Sequence, residues 1–566
     1  MLPRFPLQRP DTVCAVLAIV LLFPRPTHAF WPTDPTINLP VCTAVGAQTT
    51  PLIASDGAGG AIVVWTDKRN GGLAQIFVQR LSASGAALWT PNGVALTSGA
   101  GHAVTPAIVS DDAGGAIVAW DDARVIPRAV YAQRVDASGL AQWTPDGVLI
   151  GTDLNPTNSN VRIASDQAQG ALVLWASRLT PVSPVVLDTQ RIDAAGALQW
   201  TPGGVAIVSS QVAGVPSANV VSDGAGGEIV SWRRAAGGND VNAQRISSTG
   251  AKLWTAAGVS ICADPANQNA PVLVADGVGG AIVAWQDERG FEYDTYAQRV
   301  NASGVVQWMA EGVLVCNAAP TQVQQAITSD GAGGAIVVWA DDRNVAFDVF
   351  AQRVDGSGAT LWTAGGVTVC AEASDDGMPA LVPDGSGGAV VTWAGFGGDL
   401  HAQRLDASGA PVWVTDGIAV TTAAGVQDSP VLVSDGGDGA IVAWHDKRAG
   451  EDIYAQRFDR YGVLGGVAPL GVPTAVPIAL ALEPVGPNPR HGATMFVRFA
   501  LADASAASIE LLDVAGRRIA IRDVGRLGAG RHVVALEEAR DMAPGVYLLR
   551  LRQGADMRFA RVVSLR

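Results

Sequence analysis

Five times along this chain a tryptophan is followed at fixed spacing by Asp and Arg, in the pattern Trp-x-Asp-x-Arg. The pairs are Asp67/Arg69, Asp122/Arg124, Asp287/Arg289, Asp341/Arg343 and Asp446/Arg448. Carboxylates and guanidiniums bind polar ligands and cations through charge-assisted hydrogen bonds. Gathered on one face, these ten side chains would form a partial ring able to hold a polysaccharide, a protein ligand or Ca2+. The same spacing also describes five local salt bridges that pin loops, each contributing under about 1 kcal/mol where exposed. The local reading is the simpler one, and the ten residues are the candidates for binding.

Constellations for covalent or acid–base chemistry are missing. The sequence has no GxSxG elbow, no HExxH and no phosphate-binding P-loop. His102, His401 and His445 share no repeat position, and His491 and His532 lie near the C-terminus. Asp341 and Asp342 are adjacent, and adjacent strand residues point to opposite faces. Acidic residues are too numerous for sequence to select a glycosidase-type carboxylate pair, so no catalytic residue is assigned. Cys262, Cys316 and Cys370 recur every 54 residues in Gly-Val-x-x-Cys. Equivalent positions on different repeats are too far apart for a disulfide. With Cys42 they read as small buried apolar residues, and no paired CxxC marks a zinc site. No cofactor or metal motif is present, and Ca2+ stays open.

The elements that position these residues come from internal repetition. The first tryptophan of the unit recurs at Trp65, Trp120, Trp175, Trp232, Trp285, Trp339, Trp393 and Trp444, and a Gln-Arg pair follows each one, from Gln79-Arg80 to Gln456-Arg457. Each unit holds four strand-like runs. An apolar run precedes an Asp-Gly-x-Gly-Gly turn, where glycine accepts positive φ. Next come Ala-Ile-Val-x-Trp and then Tyr-Ala-Gln-Arg-Val-Asp, with period-two alternation. The last run carries a second tryptophan and Gly-Val. A four-stranded unit at this period predicts a β-propeller of eight blades.

The second tryptophan occurs only seven times, from Trp89 to Trp413, and none follows Trp444 at the expected distance. Trp31 supplies the eighth, ahead of a Val41-Cys42 that matches the Gly-Val-x-x-Cys stretch. The N-terminal strand is therefore expected to complete the last blade and close the ring. Tryptophans and Gln-Arg pairs required in every blade read as architecture, not as a sugar-stacking platform. The pattern breaks in blade three (Arg178 alone), blade four (Arg233-Arg234 without the Asp) and blade seven (Ala394-Gly395-Phe396).

Residues 1–29 read as a signal peptide. Arg4 and Arg9 precede the apolar Val13–Phe23 run, and Thr27-His28-Ala29 suits cleavage. That run is too short to span a bilayer. The propeller is placed at 30–462. Residues 463–482 are apolar but carry Pro469, Pro473 and Pro477, which would break a membrane helix repeatedly and favour a semi-rigid linker over it.

Residues 483–566 form a separate unit of short alternating strands. Its Pro487-Asn488-Pro489, Ile509-Glu510-Leu511-Leu512-Asp513-Val514-Ala515-Gly516, Gly528-Ala529-Gly530 and Gly545-Val546-Tyr547-Leu548 follow a known order. It resembles the C-terminal sorting domain of type IX secretion cargo and the Ig-like domain related to flagellar hook capping proteins. The resemblance implies a small Ig-like β-sandwich, contact with secretion machinery, and a place outside the cell or on the outer-membrane surface. The eight repeats are similar to those of uncharacterised bacterial propeller proteins. Their Ser-Asp-Gly-x-Gly-Gly turn is distantly similar to the Asp-box of sialidases, but the tryptophan comes several residues too late for sialidase catalysis to be carried over.

Formal net charge is −14, with +2 in the first 29 residues and +4 in 483–566, so the middle holds about −20. Such a surface repels nucleic acid and anionic lipid over a Debye length. Two functions fit. One is an exported binding or scaffold propeller. The other is a secreted polysaccharide hydrolase or lyase, which needs blades that break the pattern around a central pocket.

Overall fold

The structure is a computed structural model. It describes residues 31–99, 101–125, 128–152, 160–178, 185–212, 217–235, 238–344, 346–371, 375–395, 397–437, 439–465, 481–485, 490–491, 495–501, 505–525, 530–536, 543–554 and 556–565. The signal-peptide segment 1–29, most of the linker, Pro487-Asn488-Pro489 and Gly528-Ala529 lie outside the described residues.

The repeat folds as four antiparallel strands in sequence order. In the first complete sheet these are Gln48–Ser55, Ala61–Asp67, Gln75–Leu81 and Val94–Ala95. The second strand is buried along its whole length. A strand clad by a neighbouring sheet on each face has no solvent side, so its apolar run is continuous and does not alternate. The turn before it is built by Asp56, whose Oδ1 accepts from the Ala58 and Gly60 amides at 2.8 and 2.7 Å. Gly57 and Gly59 take φ of 71° and 80° there, which glycine adopts without strain.

Eight such four-stranded sheets follow one another. Seven take their strands consecutively. The eighth joins Gln427–Ser434, Ala440–Asp446 and Asp452–Phe458 to the N-terminal strand Leu39–Cys42, with Leu39 opposite Ala455 and Cys42 opposite Ile453. The first strands of consecutive sheets lie against each other, and Gln427–Ser434 returns to touch Gln48–Ser55. The sheets therefore form a closed ring, with their first strands around its axis. Seven of the eight first strands carry an irregularity in the strand or just before it. Thr50, Thr105, Asn160, Ala270, Gln324, Met378 and Ser429 share a left-handed φ of 45–57°. Six of the seven sit at a register shift in the pairing with the second strand.

The core lies between the sheets. The eight first-position tryptophans are at most 1% exposed, and burying one indole contributes roughly 4–6 kcal/mol of gross transfer free energy. The glycine of Gly-Val fits against that ring. A Cβ on Gly147, at φ 89°, would lie 2.7 Å from Trp120. The N-terminal strand is bound the same way, as Trp31, Val41 and Cys42 share a core with Trp65, Phe77, Ile441 and Ile453.

Beyond residue 480 the strands form two further sheets. One joins Ala481–Val485, Met495–Leu501 and Gly530–Leu536. The other joins Arg490–His491, Asp556–Leu565, Gly545–Gln553, Ala507–Asp513 and Arg518–Asp523. They share one core, in which Val497, Phe499 and Leu501 meet Ile509, Leu511, Leu549 and Leu551.

Candidate functional site

The ten sequence-nominated residues sit at the ends of second strands, and the structure uses each pair locally. Asp67 is fully buried. Its Oδ2 accepts from the Trp65 indole at 2.8 Å and from Arg69 Nη2 at 2.6 Å, and its Oδ1 accepts from Arg69 N and Nε at 2.8 and 2.9 Å. The Arg69 guanidinium lies 3.8 Å from the centre of the Phe77 ring and donates to the Asn92 carbonyl. Both carboxylate oxygens and most guanidinium donors are thus occupied from inside.

Asp122/Arg124, Asp287/Arg289, Asp341/Arg343 and Asp446/Arg448 repeat this clamp, with ion pairs of 2.5–2.7 Å and the arginine over Tyr131, Tyr296, Phe350 and Tyr454. Burial alone would raise the Asp122 pKa. Donation from Arg124 and Trp120 outweighs it and holds the carboxyl below its usual range.

Arg448 departs furthest from its expected role as a ligand-binding residue. Its Nε donates to Asp446 Oδ1 at 2.9 Å, and its Nη2 donates to both Asp446 Oδ2 and Asn38 Oδ1 at 2.6 Å. Asn38 precedes the N-terminal strand, so Arg448 ties the two ends of the ring together. Its Nη2 is taken up by the closure of the last sheet. Arg343 is committed in the same way, donating through Nη2 to Asp341 and to the Gly365 carbonyl. The ten candidates thus form five internal clamps, and of them Arg289 also lines a cavity. The physical reason is burial: the five aspartates are 0–1% exposed, and a carboxylate withdrawn from water takes every nearby donor. The clamps are for the same reason deeper than loop-pinning surface pairs.

The sheets that lack the motif differ in how they manage. In the seventh, Gly395 replaces the aspartate, and Asp376, just before the facing strand Gly377–Pro383, lies beside it and accepts from Cys370 Sγ at 3.0 Å. In the third and fourth, the indole N–H groups of Trp175 and Trp232 are buried without an acceptor.

A second set of polar residues holds the ring together. Arg80 pairs with Asp56 of its own sheet at 2.9 Å, and its Nη1 donates to the Ala137 carbonyl of the next sheet. The Trp89 indole donates to the same carbonyl at 3.1 Å. This repeats sheet by sheet, until Trp31 and Arg457 of the last sheet both donate to Ala83 of the first.

The opening that remains lies on the axis. A cavity of about 440 Å³ is lined by residues in and just before the first strands of the third to sixth sheets, including Asn160, Arg162, Ser217, Asn219 and Gln324. Arg162 is exposed to it, and among the described residues its only hydrogen bond runs from Nη1 to the Val161 carbonyl at 3.1 Å. The enclosing wall lowers its pKa, and no acidic neighbour offsets this. Asn219 Nδ2 donates to the Pro271 carbonyl at 2.7 Å, and Gln324 Oε1 accepts from the Met378 amide at 2.6 Å. Among the described residues the lining contains no Asp, Glu, His or Tyr.

Sequence reasoning missed this site because it did not compare the repeats position by position along the first strand. The signal was in the first strand. At the Arg162 and Asn219 position the other sheets carry Leu52, Ala107, Val272, Ala326, Ala380 and Val431. A separate cavity of about 530 Å³ on the fifth and sixth sheets is lined by Arg289, Tyr296 and Met309, among others. Of the ring histidines, His445 pairs with Asp428, His102 accepts from the Ala74 amide, and His401 lies against Trp393. Among the described residues no three His, Cys, Asp or Glu side chains gather as a metal site.

An all-β chain of four-stranded antiparallel sheets closed into a ring is propeller-like in architecture. No family model matches the sequence, and no curated protein matches it. Among solved structures, a eukaryotic initiation factor is similar over 75% of this chain and 89% of its own, at 13% identity and a TM-score of 0.41. The polysaccharide lyase Uly1 is similar over 61% of this chain and 88% of its own, at 11% identity and a TM-score of 0.40. An α-L-arabinanase from Penicillium chrysogenum, complexed with arabinobiose, is similar over 63% and 93%, at 12% identity and a TM-score of 0.33. Likenesses this distant carry no argument about activity or ligand. Among the described residues no helix is long and apolar enough to cross a membrane.

Proposed function

We propose that this protein is an exported eight-bladed binding propeller that receives its ligand in the axial cavity, and that its C-terminal Ig-like sandwich serves secretion or surface attachment. One observation supports the binding reading above the others. Among the described residues, the axial cavity combines an arginine without an acidic partner with several amide and hydroxyl groups and none of the usual proton-transfer side chains. Ligand sites are typically concave, about 300–1,000 Å³ in volume, with a few convergent polar groups. A hydrolase or lyase in the same cavity needs a group that moves a proton within hydrogen-bond reach of substrate.

The test is retention of the purified protein on a panel of immobilised polysaccharides and surface proteins, with the supernatants assayed for cleaved product. Retention without product is the expected result. Product release replaces the reading with that of a polysaccharide-active enzyme, and neither retention nor product leaves a scaffold. The export reading rests on the N-terminal segment and on the resemblance of residues 483–566 to sorting domains. Deleting 483–566 is expected to move the protein from medium or cell surface to the cell interior in a fractionation assay, and unchanged distribution removes that role.

A further inference from the structure

We infer that the axial cavity selects a singly charged, hydroxyl-rich anion, the carboxylate of an acidic sugar, with Arg162 as its anchor. This rests on the binding reading above and names the ligand class.

The fold does not ask for a cation at this position. Six of the eight sheets place an apolar residue there, and they close the ring as well as the third does. Most other described arginines of the ring are held by carboxylates, as Arg134 is by Asp111 and Arg191 by Asp166 on either side of Arg162 in sequence, although Arg233 donates to the Asn269 amide oxygen instead. Arg162 has only the Val161 carbonyl, taken through Nη1. Its Nε and Nη2 remain, the pair that meets a carboxylate bidentately.

The flanking groups suit hydroxyls. Asn219 is held by its nitrogen on Pro271, which leaves Oδ1 as an acceptor. Gln324 is held by its oxygen on the Met378 amide, which leaves Nε2 as a donor. Ser217 adds a hydroxyl that does both. A sugar hydroxyl both gives and takes a hydrogen bond, so a mixed fringe around one cation matches a uronic acid better than a bare inorganic anion.

Charge sets the valence. The lining carries one positive charge, inside a ring-bearing segment with a net charge near −20. A densely charged chain, sulfated or phosphorylated, is repelled on approach. A short or sparsely charged one is not. The cavity volume of about 440 Å³ accommodates roughly one or two sugar rings.

The experiment is calorimetric titration of the full-length protein with glucuronate and a neutral-sugar disaccharide bearing one glucuronate, beside glucose, acetate and inorganic sulfate. Variants are Arg162→Leu, which installs the residue the first sheet uses, Arg162→Lys, and Asn219→Val, which installs that of the fifth. Unchanged thermal unfolding verifies the fold. The expected result is binding of both uronates and not of glucose, weakened roughly tenfold or more by Arg162→Leu and less by Arg162→Lys. Acetate and sulfate are expected to bind more weakly than either uronate. Two results overturn the inference while keeping the binding reading. One is glucose binding as well as glucuronate, lost in Asn219→Val but kept in Arg162→Leu. The other is sulfate binding as tightly as the uronates. Native protein that binds none of the five also overturns it, and the retention panel then decides the broader reading.

Discussion

Among single side chains, two carboxyl groups make opposite predictions. Asp287 is buried, and it accepts from the Trp285 indole and from Arg289. Replacing it with Asn removes the charge and leaves the partly exposed Arg289 guanidinium without its carboxylate, a loss of roughly 1.5–3 kcal/mol. Thermal or urea unfolding of Asp287→Asn is expected to show this, and an unchanged midpoint refutes the clamp. Glu228 occupies a position that is alanine in the other seven sheets. It is fully buried, with neither oxygen hydrogen-bonded. Burial, and secondarily the nearby Asp223 charge, push its pKa up to about 8, with the Thr189 hydroxyl acting in the other direction. The folded state then holds a proton that the unfolded state releases between about pH 4.5 and 8. Stability falls as pH rises through that window. Glu228→Gln is expected to gain roughly 2–4 kcal/mol over the native protein at pH 9 and to lose that advantage at pH 5. A pH-independent difference counts against this account. Part of the residue chemistry was legible in the sequence. The pairing of each Asp with its Arg was read from the motif, whereas the indole–carboxylate bond was not, although a spacing of two on a strand puts Trp65 and Asp67 on one face. Whether that carboxylate met solvent or another sheet depended on packing, which spacing does not encode. Arg448 shows the same limit, since its contact with Asn38 joins residues 410 apart in the chain.

Among strands and sheets, the sequence reading was most effective where a missing part had to be supplied. Trp31 completed a series of second tryptophans, and Leu39–Cys42 pairs with Asp452–Phe458 as that series required. Deleting residues 30–42 strips the last sheet of its outer strand and removes the indole that donates to Ala83. The truncated protein is expected to unfold at lower temperature and to self-associate through the bared edge in size-exclusion chromatography. A monomer of unchanged stability shows that the strand is dispensable. The bulged first strands were not legible. Their left-handed residues include Thr50, Thr105 and Met378, types that avoid positive φ. No local signal marks them, because the kink is imposed by eight strands converging on one axis. The axial cavity inherits its shape from those strands, which is why its residues went unremarked.

In the ring taken as a unit, the paired Arg and Trp donations from each sheet to a carbonyl of the next have a counterpart one position further round. The described tryptophans all lie in it, between Trp31 and Trp444, so their fluorescence reports on the ring and not on the C-terminal sheets. A linear stack of repeats frays from its ends. The ring has none, so tryptophan emission is expected to follow one cooperative transition in urea. A separate early phase shows that some sheets detach alone, and the third and fourth, with their unpaired indoles, are where it would begin.

The bond from Trp31 to Ala83 also fixes how many repeats the gene encodes. In an open array a unit is gained or lost by recombination, and the neighbours simply shift along. Here a ninth unit, or a seventh, changes the angle at every remaining interface at once and pulls Ala83 away from both Trp31 and Arg457. Duplication and deletion are therefore the costly routes of change for this chain. The open route is substitution within a unit, as at Arg162 and Asn219, where two sheets have diverged and the count has stayed the same.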